Sequence, residues 1–94
     1  MLSDKPIKIE KVGRQATDAE ILRLAIVAEL DAINLYDQLA ASTENVDMKK
    51  VLLDIAKEEK THVAEFQTML LRIDSEQVKE MEKGRKEVEE LTQK

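Results

Sequence analysis

Two runs of apolar residues at helical spacing, joined by a short polar break, leave this chain few folds other than an antiparallel pair of helices. From Asp18 to Ala41, stepping about 100° per residue, Leu22, Ile26, Glu29, Ile33, Tyr36 and Ala40 fall within roughly 40° of one meridian. From about Asp47 to Ile73 the arrangement repeats with Leu52, Ala56, Glu59, Val63, Phe66 and Leu70, and His62 lies at the edge of that stripe beside Ile55. Neither run contains Gly or Pro, and the break between them, Ser42-Thr43-Glu44-Asn45, is of the kind that joins antiparallel helices. Each stripe carries one carboxylate near its centre, where an ionisable group has no structural reason to sit.

A buried carboxylate without a partner costs several kcal/mol and tends to protonate instead, so Glu29 and Glu59 each need compensation. Neither stripe offers a Lys or Arg. Mutual protonation, trapped water or a cation remain, and the cation is the reading that also uses His62. If the chain turns near positions 44 and 45, residues whose numbers sum to about 89 face each other. That rule puts Glu29 and Glu59 at one level of the hairpin, with His62 one turn further along the second helix. Residues at i and i+3 project from one side of a helix, so the oxygen of Glu59 and a ring nitrogen of His62 can share an ion.

Di-iron carboxylate bundles combine a Glu from each of two helices with a Glu-x-x-His pair from each of the other two. This chain supplies one member of each kind, so a complete dinuclear centre needs two chains, with Glu59 or its symmetry mate bridging across a two-fold axis. Oxygen and nitrogen donors without sulfur suit iron, manganese or zinc. A carboxylate-rich site favours iron, because anionic ligands stabilise Fe(III) over Fe(II). Tyr36 follows Glu29 by one heptad on the same face, where most tyrosines pack in a core and hydrogen-bond through the hydroxyl. Asp31, Glu58 and Glu65 lie off the stripes and read as a solvated face.

With 94 residues, the chain makes at most one domain, and a two-helix hairpin cannot cover its own stripe. The uncovered face must meet another copy or another protein. One Tyr and one Phe give no platform for stacking bases or a flat cofactor, and a net charge of −5 argues against nucleic acid and anionic membranes while suiting the attraction of cations. The absence of cysteine removes disulfides, iron–sulfur clusters and thiolate zinc sites. Residues 1–16, with Pro6, Gly13 and scattered lysines, read as an extended arm that is neither a secretion signal nor a membrane span, and the default compartment is the cytoplasm. The spacing predicts helices over 17–41, opened by a Thr17-Asp18-Ala19-Glu20 capping box, over 47–73, and over 75–92, capped near Asp74 and weakened at Gly84. The third helix, with a thin seam of Val78, Met81, Val88 and Leu91, is expected to hold when docked on a partner subunit and to fray otherwise.

The segments AELDAINLYDQ and EEKTHVAEF resemble the encapsulated ferritin family, including the ferritin-like domain fused ahead of some encapsulin shell proteins. The resemblance covers about 21–71 and extends more loosely through the third helix. It implies an all-α half-ferritin, in which a two-helix hairpin with a C-terminal helix dimerises into a four-helix bundle around a di-iron centre shared between two subunits, and five dimers form a ring. It also implies a ferroxidase that oxidises Fe(II) with dioxygen inside an encapsulin nanocompartment, with Glu29, Glu59 and His62 as ligands and Tyr36 beside them. Relatives often carry a glutamate associated with metal access where this chain has Asp31, and a tryptophan where it has Leu35. These departures bear on the access route and leave the ligand set intact. The chain ends at Lys94 without a recognisable cargo-targeting extension, as one domain of a longer polypeptide would.

Two other readings of the same residues stay open. One is a di-iron or di-manganese oxidase acting on peroxide or a small molecule, although the sparse aromatic content gives no sign of a substrate pocket. The other is a metal-free helical assembly module whose acidic groups tune an interface.

Overall fold

The computed structural model describes residues 14–94, with side chains from Thr17 onward, as three helices: α1 (Arg14–Ser42), α2 (Val46–Ile73) and α3 (Ser75–Thr92). The arm expected over 1–16 lies outside the described residues up to position 13. Its last three residues are the first turn of α1. Thr17, read as the start of a capping box, therefore sits inside the helix; Gln15 and Ala16 are good helix formers and carry it past the box.

The α1–α2 turn closes as its residue types require. The side chain of Ser42 donates to the Gln38 carbonyl at 2.8 Å, and the amide of Asn45 donates to Thr43 Oγ1 at 3.1 Å. Asn45 then caps α2, its side-chain oxygen accepting from the Met48 amide at 3.0 Å and its carbonyl accepting from Lys49 at 3.0 Å. At the far end Asp74 alone separates α2 from α3. Its amide closes α2 on the Leu70 carbonyl at 2.9 Å, and its side chain opens α3 by accepting from the Gln77 amide at 3.0 Å.

α1 and α2 pack side by side along their length. Ala40, Ala56 and Leu70 are the buried apolar residues among those described, two of them small enough to let the helices approach closely. α3 buries none of its residues and projects sideways from the hairpin, so that the described chain measures 46 × 43 × 21 Å. No helix among the described residues is long and apolar enough to cross a membrane.

One chain leaves many of its large apolar side chains partly in water. α1 in particular carries Leu24, Val27, Leu30 and Leu35 on sides away from the Glu29 stripe, and a helix that is apolar nearly all round belongs in an interior. Exposed large hydrophobics also flank the stripe itself: Ile21 and Leu39 on α1, and Val51, Met69 and Ile73 on α2. Patches of this extent mark contacts with other chains.

Candidate metal centre

The hairpin brings Glu29 of α1 together with Glu59 and His62 of α2. His62 Nδ1 lies 3.3 Å from Glu29 Oε2 and 3.4 Å from Glu59 Oε2, so that one ring N–H can donate to both carboxylates. One donor atom from each residue lies within 4.8 Å of the others. Local helix geometry places the Glu59–His62 pair, and the register set by the Asn45-capped turn places Glu29 opposite them.

The burial differs from the sequence expectation. The side chains of Glu29 and Glu59 are 19% and 18% exposed and that of His62 is 44% exposed, and no charged residue among those described is buried. The stripes are half-covered because a single chain supplies one side of the site. The desolvation that would demand a counter-charge arises only when something covers this face.

Among the described residues no Lys or Arg pairs with either glutamate, and His62 is their partner. The donor chemistry therefore fits a divalent cation: two carboxylates and an imidazole, converging at a face that solvent reaches, with no competing fixed positive charge. Three donors on one side leave the rest of an ion's coordination shell to be filled from elsewhere.

The other expected site residues stand apart from the cluster. Tyr36 is half-buried one heptad beyond Glu29 on the same side of α1 and makes no hydrogen bond to the three. Asp31 lies about 160° around α1 from Glu29 and does not join them. An ion pair that the sequence reading missed, Arg23 Nη2 to Asp74 Oδ2 at 2.8 Å, ties α1 to the α2–α3 joint. Asp74 was legible as a cap, but its partner is 51 residues away and no spacing rule links them.

Known proteins resemble this chain over most of its length. The sequence pattern of the rubrerythrin family matches residues 20–93. The chain is 54% identical over 89 residues to a ferritin-like–encapsulin shell fusion protein of Pyrococcus furiosus, an alignment covering 95% of this chain and 24% of that protein. It is 45% identical over 69 residues to the encapsulin nanocompartment cargo protein EncC of Myxococcus xanthus, covering 70% of this chain and 53% of that one. It thus spans about a quarter of the first relative and about half of the second. The crystal structure of the encapsulated ferritin domain from Pyrococcus furiosus superposes with a TM-score of 0.80 at 51% identity, covering 100% of this chain and 90% of that one.

Proposed function

This chain, which the rubrerythrin pattern matches over residues 20–93, belongs to the encapsulated ferritins, and on that footing we propose that it is a ferroxidase, oxidising Fe(II) to Fe(III) with dioxygen. The observation that carries the proposal is the convergence of Glu29, Glu59 and His62 within 4.8 Å on an accessible, otherwise apolar face.

Iron is here the substrate. Glu29 and Glu59 offer carboxylate oxygens that favour the ferric product over the ferrous substrate, and His62 offers a neutral nitrogen that completes this chain's share of the ligands. Each Fe(II) loses one electron, and dioxygen is the acceptor. One chain holds half of a di-iron ligand set, so the working unit would be a two-fold dimer in which two such clusters face each other, with Glu29, Glu59 and His62 of each chain supplying the carboxylate and imidazole donors. The exposed apolar residues flanking the cluster give that dimer its driving force, and covering the face removes water from around the carboxylates, which strengthens their hold on the cations. Tyr36 is the hydrogen-bonding or redox neighbour once the face is closed, and Asp31, on the outer side of α1, is the residue assigned to metal access.

The remaining apolar surface of α1 supports assembly beyond the dimer, and five dimers in a ring is the size proposed. The names of the fusion and cargo relatives support an encapsulin shell as the enclosing partner, and the location proposed is a cytoplasmic nanocompartment in which the oxidised iron is stored. Mixing the protein with Fe(II) in air and following ferric absorbance tests the activity. Oxidation faster than in buffer that falls to the buffer rate in Glu29→Ala and in His62→Ala is the expected result. Rates unchanged by both substitutions would leave the metal-free module as the better reading.

A further inference from the structure

We propose that Arg23 and Asp74 form a latch that fixes the direction in which α3 leaves the hairpin. Asp74 is the whole connection between α2 and α3, and a single residue contributes only two soft dihedrals. Its φ of −123° and ψ of 87° break the helix there. Packing does little to hold α3 in place, because the helix buries no residue and, apart from the cap, its polar contact with α2 is a 3.8 Å approach of Gln67 Nε2 to Met81 Sδ. Hydrogen bonds must therefore set the angle.

Asp74 makes four of them, to three helices. Its amide donates to Leu70 of α2, and its carbonyl accepts from Val78 of α3 at 3.3 Å. Its two carboxylate oxygens then divide their work. Oδ1 accepts from the Gln77 amide at 3.0 Å, and Oδ2 accepts from the Arg23 guanidinium of α1 at 2.8 Å. A swing of α3 moves the first turn and its cap together, and must stretch the bond to Arg23. The Gln77 amide and the Arg23 guanidinium both hold the Asp74 carboxyl below its ordinary value, in keeping with a charge engaged from two sides.

An isolated ion pair at a surface contributes little, because two long side chains must be ordered to make it. Here the carboxylate is already fixed by its bond to Gln77 and only 18% of the Asp74 side chain is exposed, so only the Arg23 side chain has to be ordered. Since α3 carries exposed Val78, Met81 and Val88, the latch decides where that seam is presented in the assembled protein.

The proposal is independent of the iron reading and is tested without metal. The chain contains no cysteine, so Asn34→Cys on α1 and Glu87→Cys on α3 admit one pair of spin labels, diluted with unlabelled chain to keep the measured distance within one subunit. The expected result is a single narrow distance that broadens about twofold in Arg23→Gln and in Asp74→Asn, with the double variant no broader than either, because releasing a tether frees a local motion once. Asn is as good a cap as Asp, so Asp74→Asn preserves the helix start while removing the charge, and far-UV circular dichroism confirms this in the same samples. Arg23→Gln leaves the cap untouched and decides the question by itself if Asp74→Asn loses helix. An unchanged width in Arg23→Gln, or broadening in Asp74→Asn alone, overturns the latch.

Discussion

Met69 offers a quantitative test of the idea that the cluster face is closed by a second copy. It lies one heptad after His62 on the same side of α2, beside Ile21, Leu22 and Ile73, and is 54% exposed in the single chain. Full burial of a side chain of this size is worth about 1.5–3 kcal/mol, so covering the exposed half contributes about 0.8–1.6 kcal/mol per chain. In a two-fold interface the residue counts twice, and Met69→Ala should cost about 1.6–3.2 kcal/mol of dimer stability, a dissociation constant raised about 15- to 220-fold. Sedimentation equilibrium under anaerobic Fe(II) measures it. Leu53→Ala is the control, because Leu53 is similarly exposed but lies about 180° around α2 from His62. A change smaller than about threefold in Met69→Ala, or an equal loss in Leu53→Ala, would refute the assignment of this face.

Two further outcomes concern α3. A Cβ added at Gly84 meets nothing within 4 Å, so Gly84→Ala should stabilise the middle of the helix by about 1 kcal/mol, read as slower amide exchange from 80 to 90, and faster exchange would show that the position is not free. The Asp74 carboxyl, held below its ordinary 3.8 by the Gln77 amide and the Arg23 guanidinium, is harder to protonate folded than unfolded, so its contribution is complete above that value and is lost as pH falls through the lower folded one. Protection of the Gln77 and Val78 amides, corrected for intrinsic exchange, should therefore hold down to about pH 4 and drop below it, and a drop that persists in Asp74→Asn would exclude this carboxyl as its source.

The cluster was legible because two regularities compound. A 3.6-residue period puts Glu29 and Glu59 on their stripes, and a short polar break fixes which levels of the two helices meet. The same logic overestimated their burial, since a periodic stripe reports the assembled interior while a single chain covers only part of it. The start of α1 was misplaced because Thr17 has the right chemistry for a cap, whereas helix propensity at Gln15 and Ala16 extends the helix beyond it. The Arg23–Asp74 contact was beyond sequence reasoning, because it depends on the angle at a one-residue joint that no pattern encodes. α3 begins at the expected Asp74 cap and runs to Thr92, but the fraying expected of it outside a partner interface is not seen: the helix is continuous in the single chain while burying none of its residues.

The most direct test of the central claim is anomalous diffraction at the iron absorption edge from crystals grown with ferrous salt under anaerobic conditions. The account predicts two peaks beside a two-fold axis, each within coordination distance of Glu29, Glu59 or His62 from two different subunits, and their loss in His62→Ala. Crystals that carry iron elsewhere while these three side chains contact only one another or solvent would contradict it.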